Sequence, residues 1–398
     1  MSNEADITSQ WPGHDTDASG STETIVSDSL TNSLTATTVV ASAYSASSQK
    51  PSQWLVETQR YSKVNRIVLI SLGMLVFVAL MAGLVYWIVS FYAFPPSYST
   101  KYSDVPYPKQ LNTTIVKNGD LHQSFYGIGY TPSHTQYPQC GSTAEEVLED
   151  IKVLSQLTSR LRIYGMDCNA ANYTLMAINL LDVNMTTLLT LWVDGDESTY
   201  QRQKETLFQI IDEYGTSRID GVSVGNEVLF RNKTAEPDLI QKMTSLREEF
   251  RSRQIYLNIT TTDLANLLDP KVILAEDVVM ANIHPYFGGV PIEDATNWTM
   301  SFSESELFKP ARLARKSVAA IAEVGWPSRG VSNSDSVPSL TNLQTFVDDF
   351  VCHANKANVR YYYFEAFDEP WKSKENELEG SWGIMDENRN LKVRIPVC

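Results

Sequence analysis

The sequence is short of the residues from which many functions are built. Histidine occurs five times and cysteine four times in 398 residues. There is no HExxH and no clustered Cys/His set, so a metal site of ordinary ligand spacing is not expected. Lysine and arginine total 32 against 47 aspartates and glutamates, a formal charge of −15. Such a chain lacks the positive surplus that a nucleic-acid partner requires, and a neutral or cationic substrate is the easier reading. A dinucleotide loop is missing as well, because YGIGYTP places Pro132 where a third glycine belongs. No cofactor is expected.

Charge is absent altogether from Ile67 to Phe91, which reads IVLISLGMLVFVALMAGLVYWIVSF. That run exceeds the roughly 20 apolar residues needed to cross a bilayer, and it lies too far from the N-terminus for a cleaved signal peptide. It predicts a transmembrane signal-anchor helix over 67–93. Lys50, Arg60, Lys63 and Arg66 crowd its N-terminal flank, which places the N-terminus in the cytoplasm as a single-pass type II protein of the cell membrane. Asn-x-Ser/Thr acceptors occur at Asn112, Asn172, Asn184, Asn232, Asn258 and Asn297, all beyond the span, as expected of an exported glycoprotein domain. All four cysteines, Cys140, Cys168, Cys352 and Cys398, also lie beyond it. An oxidising compartment favours two disulfides there.

Residues 1–50 are dominated by Ser, Thr and Ala with one basic residue, so they bury too little apolar surface to offset ordering entropy. Residues 1–66 are therefore read as a disordered cytoplasmic tail. A Pro- and Ser-rich spacer follows over 94–106 and a folded domain over 107–398. In that domain, eight β-rich runs alternate with amphipathic segments: 124–131, 159–166, 186–193, 221–228, 255–263, 278–287, 318–327 and 360–368. In TAEEVLEDIKVLSQL, Val147, Ile151 and Leu154 recur at helical spacing, and in EPDLIQKMTSLREEF, Ile240, Met243 and Leu246 do so. Eight such repeats in about 260 residues predict an α/β fold, a (β/α)8 TIM barrel, rather than an open doubly wound sheet.

Barrel enzymes carry their chemistry at the C-terminal ends of the strands. The run GVSVGNEV ends in Asn226 and Glu227, and VAAIAEVGWPS stays apolar until Glu323. Two acids at one mouth suit glycosidic cleavage, where one protonates the departing oxygen and the other attacks the anomeric carbon. Tyr130, Tyr164, Trp192, Tyr286, Phe287, Trp326 and Trp371 are candidates to stack on sugar faces.

The blocks RLRIYGMDCN, GVSVGNE, ANIHPYF, AEVGWPS and YYYFEAFDEPWK, in that order, resemble the fungal branch of glycoside hydrolase family 17 over about residues 120–398. The resemblance implies a (β/α)8 barrel acting on β-1,3-glucan with retention. It implies Glu227 as acid/base and Glu323 as nucleophile, with Asn226 bonding the sugar 2-hydroxyl. Tyr286 matches a tyrosine near the nucleophile. Tyr130, Arg162, Tyr164, Trp326, Glu365, Asp368, Trp371 and Lys372 are expected to bind or support substrate. Arg162 could equally form an ion pair with Asp167. Cys140 and Cys168 follow adjacent strands on the active face, leaving Cys352 for Cys398, although four cysteines permit three connectivities. Hydrolase and transglycosylase would share every residue named. A catalytically idle wall-anchoring glucan binder and a glucan receptor are the readings from other classes. A monomeric catalytic domain facing the cell wall is expected.

Overall fold

The computed structural model describes Val68 and residues 70–85, 111–374 and 376–398. The chain divides into two units, Met1–Ser99 and Thr100–Cys398. In the first, residues 70–85 form a helix, α1, whose apolar side chains, Leu75 and Leu80 among them, are exposed. Among the described residues no helix is long and apolar enough to cross a membrane. The remainder of the expected span, the tail and the spacer lie outside them.

The second unit runs β1 (Gly127–Tyr130), α2 (Ala144–Leu154), β2 (Arg160–Ile163), α3 (Ala170–Leu180), β3 (Thr186–Leu191), α4 (Glu197–Tyr214), β4 (Ile219–Val224), α5 (Glu236–Ser252), β5 (Asn258–Thr260), β6 (Asp263–Leu264), α6 (Pro270–Ala275), β7 (Val279–Asn282), α7 (Ile292–Ser303), α8 (Lys309–Leu313), β8 (Ala319–Val324), α9 (Leu340–Lys356) and β9 (Tyr361–Tyr363). Each of the eight expected runs overlaps a strand, with β4 starting at Ile219, ahead of its expected run. The nine strands of the described residues make one parallel sheet in the order β5-β4-β3-β2-β1-β9-β8-β7-β6. This curled sheet with crossover helices is a TIM-like α/β fold. Its two outermost strands, β5 and β6, are consecutive pieces of one stretch, the expected fifth strand.

Local chemistry explains the elements. α2 starts in a capping box, Thr143 accepting from the Glu146 N–H while the Glu146 carboxylate accepts from the Thr143 N–H. Its Val147, Ile151 and Leu154 are buried. In α5 the buried stripe is Leu239, Met243, Leu246 and Phe250, with Ile240 at its edge. Most buried apolar residues lie between sheet and helices. Leu188, Met280, Ala320, Ala322 and Tyr362 form a separate small cluster. Register places Gly129 beside Arg162 and Arg162 beside Leu188, so these three share the concave face.

One buried acid there makes a stability prediction. Glu276 has no exposed surface. Its Oε2 accepts from Thr260 Oγ1 at 2.8 Å and from the Met280 N–H at 3.1 Å, while Oε1 has no partner. Burial pushes this carboxyl well above the usual glutamate value. Folding therefore takes up a proton, and stability is lost as pH rises from the unfolded value of about 4.3 through the higher folded one. Glu276→Gln should flatten that decline and be the more stable of the two proteins at neutral pH. Urea unfolding of both proteins across that range checks this.

Candidate active site

Strand β4 is buried along most of its length and ends at Val224, where Gly225 turns the chain with φ +81°. A β-carbon at Gly225 would sit 2.6 Å from a Val228 methyl, so only glycine fits the turn. The turn delivers Asn226 and then Glu227, itself at φ +54°. Strand β8 delivers Glu323, one residue before its own end.

The two acids, 96 positions apart in sequence, meet in one hydrogen-bond network whose hub is Arg162. That residue has no exposed surface. Its Nη1 donates to Glu323 Oε1 at 2.8 Å, to the Ala322 carbonyl at 3.0 Å and to Asn282 Oδ1 at 3.4 Å. Its Nη2 donates to Asn226 Oδ1 and to Thr262 Oγ1, each at 2.7 Å. Asn282 Nδ2 then donates to Asn226 Oδ1 at 3.0 Å and to Glu227 Oε1 at 2.9 Å. Asn226 Oδ1 thus accepts three bonds, counting one from Thr262 Oγ1 at 2.9 Å. The orientation of its amide is fixed, with the donor end left for another acceptor.

The environments of the two acids differ. Glu323 Oε2 accepts from His284 Nε2 at 3.1 Å, and the imidazole is enclosed by Phe287, Phe364 and Trp382. Burial works against the charge on Glu323. Arg162, the His284 hydrogen bond and Lys372 outweigh it and hold the carboxyl below the usual glutamate value. Glu227 is half-open, pairing through Oε2 with Arg231 at 2.9 Å. An ionised buried carboxylate beside a second, accessible carboxyl is the division that nucleophilic and acid/base roles require.

A second group of charges closes the site after β9. Glu365 is buried 3.9 Å from Lys372, which also pairs with Glu369. Burial, reinforced by the charges of Glu369 and Glu323 against the pull of Lys372, raises the Glu365 carboxyl well above its usual value. Lys372 is held protonated, the acids Glu365, Glu369 and Glu379 overriding the effect of burial. Burial also raises Glu379; Lys372 and His284 oppose the rise and the charge of Glu227 adds to it.

Several expected binding residues do not line this site. Tyr130 pairs in register with Ile163 rather than Arg162 and therefore faces the helices. It is fully buried and donates to Asp150 on α2 at 2.6 Å. Trp326 is also fully buried, donating to the Val337 carbonyl and packing on Phe346 of α9. The Tyr286 hydroxyl donates to the Val331 carbonyl and its ring packs on Trp326 and Trp382, so it backs the aromatic shell instead of meeting a sugar. Asp368 is occupied by Lys392 at 2.6 Å and the Gly383 N–H at 3.0 Å. Glu365 and Arg162 are too deeply buried for direct substrate contact. Arg162 does not pair with Asp167, which instead takes Arg202 in two bonds at 2.9 and 3.0 Å.

The remaining expected contacts are divided between the floor and the rim. Tyr164 lies under the Arg162 guanidinium, 4.6 Å from ring centroid to Cζ, and Trp371 is 45% exposed. The disulfides are Cys140–Cys168 and Cys352–Cys398. Five acceptor asparagines are exposed, whereas Asn172 is buried in α3 and accepts from the Tyr214 hydroxyl at 2.6 Å. Asn282, Thr262, Asp263, His284, Glu379 and Trp382 were not among the expected site residues. The run TTTD (260–263), polar at the end of an apolar strand, carried the same signal that marked Glu227.

The chain matches the BtgE/BtgC glycoside hydrolase domain over residues 127–383. The probable glucan endo-1,3-beta-glucosidase btgC of Aspergillus fumigatus is 39% identical over 311 residues, covering 71% of this chain and 45% of that protein. The glucan endo-1,3-beta-glucosidase btgC of Emericella nidulans is 37% identical over 325 residues, covering 73% and 50%. The chain spans about half the length of the curated relatives it matches. Among solved structures, the glycoside hydrolase family 17 beta-1,3-glucanosyltransferase of Rhizomucor miehei superimposes with a TM-score of 0.60 at 30% identity, covering 69% of this chain and 97% of that one. Its active-site mutant in complex with laminaritriose superimposes equally well, with a TM-score of 0.60 at 29% identity, covering 69% and 98%. With its domain matched from the first strand through the loop that closes the site, the chain belongs to the BtgE/BtgC glycoside hydrolase domain family, within glycoside hydrolase family 17.

Proposed function

We propose that this chain is a retaining β-1,3-glucan hydrolase in which Glu323 is the nucleophile and Glu227 the acid/base. The observation that carries the proposal is the network joining Glu227 to Glu323 through Asn282 and Arg162. Glu227 protonates the departing glycosidic oxygen while ionised Glu323 attacks the anomeric carbon, and Glu227 then activates the water that resolves the glycosyl-enzyme. Asn226 offers its amide N–H to the 2-hydroxyl, a contact that strengthens at the transition state. Exposed Trp371 is the sugar platform, and Tyr164, Lys372 and Glu379 shape the floor. The names of the A. fumigatus and E. nidulans relatives support the linkage.

Transfer to a second glucan in place of water is the alternative, favoured by the description of the R. miehei enzyme as a glucanosyltransferase. The position of β5 and β6 in one stretch supports a closed (β/α)8 barrel. The charge-free run at 67–91, its cationic flank and the one-sided sequons support a type II anchor at the cell membrane, with the domain facing the wall.

Detergent-solubilised full-length protein should cleave linear β-1,3-glucan and leave β-1,4- and β-1,6-linked controls intact. With a reduced laminari-oligosaccharide, shorter products alone establish hydrolysis, and products longer than the donor establish transfer. No turnover of any of these glucans would reject the proposal.

A further inference from the structure

The fifth strand is interrupted where it passes the turn that carries Glu227. β5 ends at Thr260 and β6 begins at Asp263, while neighbouring β4 has already ended at Val224. Side chains take over the pairing there. Thr261 Oγ1 donates to the Val224 carbonyl at 2.8 Å, and Thr262 Oγ1 donates to the Gly225 carbonyl at 3.3 Å and to Asn226 Oδ1 at 2.9 Å. The Thr262 carbonyl accepts the Glu227 N–H at 2.7 Å. Asp263 completes the series from a position with no exposed surface. Its carboxylate accepts the N–H groups of Leu229 at 2.8 Å, Phe230 at 3.3 Å and Leu264 at 2.9 Å.

Glu227 therefore lies between two bonded segments, pinned before by Thr262 and after by Asp263. Its φ of +54° is a conformation that a residue with a β-carbon keeps only when its surroundings impose it. A carboxylate accepting backbone N–H groups makes about the strongest hydrogen bond available for that purpose. Asp263 reaches no cleft surface, so its contribution is to main-chain geometry.

We infer that Asp263 is a positioning residue for the acid/base step, fixing the backbone beyond Glu227 so that its carboxyl stays over the oxygen it protonates. The inference rests on the role given to Glu227 above. A misplacement of about 1 Å costs on the order of 10²-fold in rate, and the cost falls on the step that needs the proton.

The test compares wild type, Asp263→Asn, Asp263→Glu and Glu227→Gln as full-length proteins on two substrates. In linear β-1,3-glucan the glycosidic oxygen must be protonated to depart as a sugar hydroxyl; an aryl β-laminaribioside has a nitrophenolate that leaves without it. Asp263→Asn turns an amide toward the Leu229 and Phe230 donors. It should lower kcat/KM on glucan by about 10- to 100-fold, and on the aryl substrate by less than about 3-fold. Asp263→Glu, which keeps the charge one methylene displaced, should show a smaller loss with the same preference. A purely structural defect lowers both rates by one factor, so equal losses, or undiminished glucan turnover in both Asp263 variants, would overturn the inference. A wild type inert on both substrates, or Glu227→Gln fully active on glucan, would instead remove the Glu227 assignment beneath it.

Discussion

Glu323→Gln should fold normally and turn over linear β-1,3-glucan about 10⁴-fold or more slowly than wild type. The amide keeps an oxygen for the Arg162 Nη1 bond, now 2.8 Å long, and nearly the same volume, but it leaves the buried guanidinium without its counter-charge. The unfolding free energy should therefore fall by as much as about 3–5 kcal/mol while the protein stays folded at assay temperature. What it cannot do is form a glycosyl ester, and loss of a covalent nucleophile removes the reaction path itself. Steady-state rates and a melting curve on the same preparation check both halves. Activity within tenfold of wild type would mean that the carboxylate is not attacking, whereas no turnover by either protein would leave the idle glucan-binding reading in place of the enzymatic one.

The second large effect belongs to Arg162→Met. Here the expected loss is in stability as well as rate, because the substitution leaves Glu323 buried without the cation that offsets its desolvation. Removing one partner of a buried pair costs about 3–5 kcal/mol. In the wild type the depressed Glu323 pKa contributes stability that is present above the unfolded glutamate value and is lost as pH falls through the folded one. Without Arg162 burial dominates, the folded carboxyl shifts upward, and stability should now fall as pH rises. Adding Glu323→Gln to Arg162→Met should recover part of the loss, since the stranded charge is gone. Urea unfolding of the four proteins of this cycle at two pH values measures the coupling; additive effects would show that the pair is not acting as one.

The strand positions were legible because each run is apolar along its length and turns polar where the site begins, as at Glu227 and Glu323. The Cys140–Cys168 pair was legible for a related reason, since both follow adjacent strands on one face, and Cys352–Cys398 was left by elimination. Facing was not legible. Tyr130 and Trp326 sit at the correct height, but height along a strand does not tell which side a ring takes. For Tyr130 only its pairing with Ile163 assigns the ring to the helices. Arg162 read as a ligand contact because an arginine at a rim suggests substrate; its partners come from four other segments, a convergence that linear spacing does not encode. Asn172 looked like any other acceptor, and only the approach of Tyr214 from α4 covers it. Glu379 was overlooked because it acts from irregular backbone, where periodicity carries no signal, and Asp263 because the polar end of its run was read only as the end of a strand.

The left-handed backbone at Glu227 has a wider implication. Glycine would relax there, by about 1–2 kcal/mol, so selection of random variants for heat resistance alone would favour discarding this acid. On the role proposed for Glu227, a sturdier but inert descendant is one substitution away.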